Sequence, residues 1–179
     1  FKGIDVRNYG SGNAGTTNPL RTLGKPAGYI VFLGDALKAV FAVWIVRYLL
    51  FPGLGDVTKI LETVTALGVV LGHNYPFYMH FKGGKGIAAT GGFMFALDVR
   101  IALIAAIVFA VVFFTTRYVS VGSLTITALF PILMLIFYPG QWVVFGLSLI
   151  FTALAWWRHR ANIKRLMNGT ENKFEKKKK

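Results

Sequence analysis

From Tyr118 to Trp157 the chain runs 40 residues without one Asp, Glu, Lys or Arg. As α-helix that stretch would be about 60 Å long at 1.5 Å per residue, whereas a bilayer core is about 30 Å thick. It therefore reads as two membrane spans, with Pro139-Gly140, a pair that does not easily continue a helix, at the turn between them. A chain 55% apolar and 15% charged over 179 residues falls outside the ordinary soluble class, so lipid is expected around it.

Apolar runs between charged or Gly/Pro breaks predict membrane helices near residues 28–50, 57–72, 86–97, 100–116, 119–138 and 141–157. The expected fold class is all-α, a polytopic membrane helix bundle forming a single domain over residues 1–179. The 86–97 segment is only about 18 Å long as a helix, too short to span alone. It reads as a broken or re-entrant helix, and such elements survive at membrane depth only where protein or a water-filled cavity covers them, so this one is expected to line a site.

Alternation of six segments puts residues 1–27, 73–85, 117–118 and 158–179 on one side with 16 Lys/Arg, against Arg47, Lys59 and Arg100 on the other. The positive-inside rule makes the first side cytoplasmic. The expected location is thus a bacterial cytoplasmic (inner) membrane, multi-pass, with the active site and the C-terminus facing the cytoplasm. The net charge of +13 reads as membrane orientation, and no nucleic-acid partner is expected. Residues 172–179 read as a disordered basic tail suited to anionic headgroups. The absence of cysteine excludes thiolate nucleophiles, disulfides and thiolate metal sites. The opening on Phe1 and a polar stretch suggests an N-terminal truncation.

Three polar constellations interrupt the apolar pattern. In GSGNAGTTNPLR, residues 10–21, Gly10 and Gly12 let backbone N–H groups approach an anion. Ser11, Asn13, Thr17 and Asn18 add neutral donors, and Arg21 supplies a planar fork that matches phosphate. In GHNYPFYMHFKGGKG, residues 72–86, Gly83, Gly84 and Gly86 surround Lys85 as a phosphate-binding cradle and lead into the short helix, whose N-terminus is suited to an anion. The pattern departs from Walker A, so no nucleotide is implied. In RHRANIKRL, residues 158–166, His159 and Asn162 would share one helical face. Such a pair could orient a hydroxyl or serve only as an interfacial cap.

Other polar residues have plainer readings. His73 and His80 read as interfacial or structural. Asp35 and Lys38, three apart inside an apolar segment, read as an inward-facing ion pair, although intramembrane charges also mark sites. Ser123 reads as a serine bonded to its own backbone that could still reach the face of the loops.

Together the three stretches, the last extended to RHRANIKRLMNGTE, resemble the motifs of the bacterial PlsY family of acyl-phosphate:glycerol-3-phosphate acyltransferases, from Lys2 to about Glu171. The resemblance implies seven helices, with the first ahead of the opening motif. It implies transfer of a fatty acyl group from acyl phosphate to the 1-position of glycerol 3-phosphate, giving lysophosphatidate and phosphate. No metal and no cofactor are implied. The expected partners are the two substrates, the bilayer and the soluble enzyme that makes acyl phosphate. Matched residue by residue, it implies Ser11, Arg21, Lys85, His159 and Asn162 as catalytic, Ser123 as substrate-binding and Glu171 as a structural acid. Thr16 stands where the family commonly has alanine.

Ser11 has no His or carboxylate in its own motif to activate it, so it reads as a hydrogen-bond donor and no covalent intermediate is required. A transporter of an organic phosphate is the competing class. Its usual inverted repeat would put the two glycine-rich loops on opposite faces. Here two full segments separate them, which predicts one face. None of the three histidines has Asp five positions on, which argues against acyltransferases of that pattern.

Overall fold

A computed structural model describes residues 3–174, and the end of the basic tail, residues 175–179, lies outside them. Every regular element among the described residues is helical. The chain divides into two units, Phe1–Leu97 and Asp98–Lys179.

The first unit holds α1 (Thr17–Thr22), α2 (Lys25–Ile45), α3 (Asp56–Asn74) and α4 (Ile87–Leu97), with 3-10 turns at Val6–Asn8 and Phe77–Met79. Gly24 at φ +96° and a proline in the first turn start α2, a position where the missing N–H costs nothing. The last turn of that span, Val46–Leu50, winds as a π-helix. Asp56 opens α3, where its charge suits the helix dipole. Ala39, Val40, Val43, Ala66, Val70, Ala89, Phe93 and Met94 form the core. A Cβ added to Gly92 would strike the Ala36 carbonyl oxygen, so α4 crosses α2 at backbone contact. At the far end Arg47 clamps Glu62 with two hydrogen bonds, Nε to Oε1 at 2.5 Å and a terminal nitrogen to Oε2 at 2.7 Å.

The second unit holds α5 (Val99–Thr116), α6 (Val119–Phe137), α7 (Trp142–Arg158) and α8 (Arg160–Met167). Asp98 caps α5 by accepting the Arg100 N–H at 2.9 Å and accepts the Tyr138 hydroxyl at 2.9 Å, tying the end of α6 to the start of α5. Phe130 and Phe151 meet edge to face with ring centroids 5.9 Å apart, and Thr152 donates to the Thr127 carbonyl at 2.7 Å. Gly140, at φ +84°, makes the predicted turn between α6 and α7.

Each predicted segment is a helix, the shortest being α4 at 11 residues. Among the described residues three helices are long and apolar enough to cross a membrane by themselves, Lys25–Leu50, Val99–Thr116 and Val119–Phe137. Their outward side chains, Ile30, Leu49, Leu103, Ile107 and Ile136 among them, are exposed apolar groups, the surface a lipid-facing helix needs. One expectation requires correction. Lys38 pairs with Asp35 as predicted, but its side chain is 39% exposed and does not face fully inward. Within RHRANIKRL, His159 is the joint between α7 and α8.

Candidate active site

The first glycine-rich loop is shaped from within. Gly10 and Gly12 take positive φ, which turns the backbone sharply. Inside the turn Asn18 is buried and donates to the Val6 and Tyr9 carbonyls at 2.8 and 3.0 Å, while its Oδ1 accepts the Ser11 N–H at 3.0 Å. Asn13 accepts the Gly15 N–H at 2.9 Å. Both amides therefore serve the loop's shape. Ser11 is exposed, Thr17 opens α1, and Arg21 stands exposed in the last turn of that helix. Arg7 reaches the Met79 carbonyl at 3.0 Å, and its hydrogen bonds hold the Asp5 carboxyl down to about 2.

The second loop lies on the end of α3. Gly83 donates to the Asn74 carbonyl and Gly84 to the His73 carbonyl, each at 3.2 Å. These N–H groups satisfy carbonyls that the helix end leaves without intrahelical donors. That corrects the expectation that they face an anion. Glycine is needed here for closeness: a Cβ on Gly83 would strike the His73 carbonyl oxygen, and one on Gly84 would strike the His73 imidazole. Lys85 follows half-buried, and Gly86 at φ +80° turns the chain into α4, whose first N–H groups have no acceptor within the helix itself.

The two loops adjoin. A Cβ placed on Gly15 would lie 3.7 Å from the Gly84 Cα and 3.9 Å from the Lys85 nitrogen. Beside them, among the described residues, buried Asn74 has no hydrogen-bond partner for either amide atom, and the Thr16 hydroxyl has none. Orphaned polar atoms of this kind are uncommon inside proteins.

In the second unit the third motif centres on Glu171. Its carboxylate accepts Asn162 Nδ2 at 2.7 Å, the Ser120 hydroxyl at 2.9 Å and Arg165 Nε at 2.7 Å. Burial alone would raise this acid, but those three donors outweigh it and hold the group below the usual carboxylate range. His159 is buried with Nδ1 2.7 Å from the Ala155 carbonyl. A carbonyl only accepts, so Nδ1 carries the proton and Nε2 is the acceptor atom of the neutral ring. Ser123 is buried and donates to the Val119 carbonyl at 2.9 Å, the local backbone bond expected of it.

Two relationships escaped the sequence reading. His73, whose sequence reading is interfacial or structural, lies against Gly84 and is joined to Asp35 and Lys38. The Arg47–Glu62 pair crosses helices. The intramembrane charges were the available signal for the first, and nothing in local spacing marks the second.

Fold and loops together define a multi-pass helical membrane protein with two adjoining glycine-rich loops that carry Arg21 and Lys85. The chain belongs to the glycerol-3-phosphate acyltransferase family, whose model matches residues 1–169. A glycerol-3-phosphate acyltransferase of Clostridioides difficile (strain 630) is 44% identical over 176 residues, covering 98% of this chain and 85% of that protein. Glycerol-3-phosphate acyltransferase 2 of Thermotoga maritima (strain ATCC 43589 / DSM 3109 / JCM 10099 / NBRC 100826 / MSB8) is 42% identical over 176 residues, covering 97% of this chain and 84% of that protein. Two crystal structures of PlsY (YgiH), an integral membrane glycerol 3-phosphate acyltransferase, share the fold. The glycerol 3-phosphate form matches at TM-score 0.87 and 40% identity over 97% of this chain and 84% of that one. The lysophosphatidic acid form matches at 0.81 and 38% over 92% and 81%.

Proposed function

We propose that this protein transfers a fatty acyl group from acyl phosphate to the 1-position of glycerol 3-phosphate. The acceptor hydroxyl oxygen bonds to the acyl carbon, the bond from that carbon to the phosphate oxygen breaks, and inorganic phosphate leaves with lysophosphatidate as the other product. The observation that carries the reading is the closeness of Gly15 to Gly84 and Lys85, which leaves room for little more than a methyl group between them. It sets two basic loops side by side, as a reaction between two phosphate-bearing substrates needs, and departs from the opposed sites of an inverted-repeat transporter.

The donor is already activated, so the chain's work is positioning and neutralising charge on the two substrate phosphates, by Arg21, Lys85 and the first N–H groups of α4. Ser11 donates a hydrogen bond and forms no acyl intermediate. The proton of the attacking hydroxyl goes to His159 or to the acceptor's own phosphate. Glu171, bonded to Asn162, Ser120 and Arg165, is a structural acid. The site and C-terminus face the cytoplasm of a bacterial inner membrane, where a soluble enzyme supplies acyl phosphate.

The test is lysophosphatidate formation by the detergent-solubilised protein from glycerol 3-phosphate with palmitoyl phosphate or palmitoyl-CoA. Product from the acyl phosphate alone is expected. Product only from the CoA ester would move the chain to another donor class.

A further inference from the structure

In the first unit Lys38, Asp35 and His73 form one connected chain across α2 and α3. Lys38 Nζ lies 2.6 Å from Asp35 Oδ1 and 2.9 Å from His73 Nδ1, and that Asp35 oxygen lies 3.1 Å from the same ring nitrogen. The Asp35 and His73 side chains are only 13% and 10% exposed. Charges inside an apolar helix are costly, and apolar packing of similar volume often serves stability as well. A chain of three such groups calls for a use.

The proton positions show which way the ring is turned. An ammonium only donates, so Nδ1 accepts from Lys38 in the neutral ring and the proton sits on Nε2. In a doubly protonated ring Nδ1 donates to Asp35 and Nε2 again carries a proton. In both states an N–H edge faces away from the charges, and Gly84 lies there, where a Cβ would fall on Nε2 with Cε1 next. The His73 carbonyl also accepts the Gly84 N–H at 3.2 Å, and Gly15 adjoins the same residue. Gly84 is therefore held by the ring and the backbone of one residue.

We infer that Lys38 and Asp35 fix the His73 ring so that it holds the Gly83–Lys85 turn in register for the phosphate of glycerol 3-phosphate, making His73 a positioning residue. The inference rests on the acyltransferase reading of the same loops. The chain of action runs from Lys38 through Asp35 and the imidazole to Gly84, and from there to Lys85 and the start of α4.

Asp35→Asn tests it with little change of shape, because the amide keeps an acceptor oxygen and loses the charge. The expected result is a rise of about tenfold in KM for glycerol 3-phosphate, with kcat and the KM for acyl phosphate within about twofold, the signature of lost ground-state binding. His73→Asn should do the same, and the double variant should be no worse than His73→Asn, since both act through one ring. If His73→Asn does not fold, Asp35→Asn and Lys38→Met carry the test. A fall in kcat with both KM values unchanged, or additive effects in the double variant, overturns the inference. Binding separates it from the acyltransferase reading: inorganic phosphate should raise the Tm of the wild type in detergent and raise that of Asp35→Asn less. A wild type inactive with every acyl donor sinks the reaction, whereas an equal phosphate response in both proteins sinks the role of this chain.

Discussion

Asn162 donates through Nδ2 to Glu171 Oε1 at 2.7 Å, so the amide of the third motif is held by an acid nine positions later. With Ser120 and Arg165 on the same carboxylate, Glu171 joins α8 to the start of α6. Glu171→Ala leaves three donors without their partner, and about 1–3 kcal/mol of stability should be lost. Thermal unfolding in detergent checks it, and an unchanged Tm would show that the cluster carries no stability.

The same carboxylate sets an acid limit. Its folded-state pKa is depressed by its donors, against burial, so the stability it lends is present above the usual glutamate value of about 4.3 and disappears as pH falls through the lower folded value. The Tm difference between wild type and Glu171→Gln should be constant from about pH 7 to 5 and shrink on further acidification. A difference that grows toward acid would reverse the sign assigned here.

Gly84→Ala forces a methyl group into the His73 ring, whereas Gly83→Ala forces one into backbone carbonyl oxygens that cannot move aside. The first should fold and raise the KM for glycerol 3-phosphate about tenfold, more than that for acyl phosphate. The second should cost about 1–3 kcal/mol of stability. Should Gly84→Ala instead raise the KM for acyl phosphate, the loop belongs to the donor.

Arg47 and Glu62 form a nearly closed ion pair, with the Glu62 side chain 2% exposed. Arg47→Met strands a buried carboxylate and should cost about 3–5 kcal/mol, while Arg47→Met/Glu62→Leu should recover most of that. Tm values of the two variants decide it. Equal losses would mean the pair contributes favourably rather than merely being compensated.

His159 keeps its Nδ1 proton on the Ala155 carbonyl, which makes Nε2 the atom that could take a proton. His159→Gln should lower kcat about 10²-fold or more if the ring is the base. Nearly full turnover would leave the acceptor's own phosphate to do that work.

The helices were legible because each signal is local. Forty uncharged residues need lipid whatever they pack against, and the two residues Pro139-Gly140 are enough to mark a turn. The two glycine-rich loops could be read for the same reason, since glycines, small donors and a basic side chain lie together in sequence. What each glycine does could not. Gly83 and Gly84 look like exposed anion donors until their N–H groups are found on the end of α3, because backbone pairing depends on where another helix stops. Nor did the spacing of His159 and Asn162 show that the histidine is the joint between α7 and α8.

The sequence by itself determined the helical class, the membrane as solvent and the glycine-rich, basic makeup of the loops, all consequences of composition and neighbouring residues. Only the tertiary structure decided that Gly15 meets Gly84, that Lys38 and Asp35 reach His73, and that Arg47 finds Glu62. Those contacts join residues 15 to 69 positions apart, and no spacing rule reaches across the turns that bring them together.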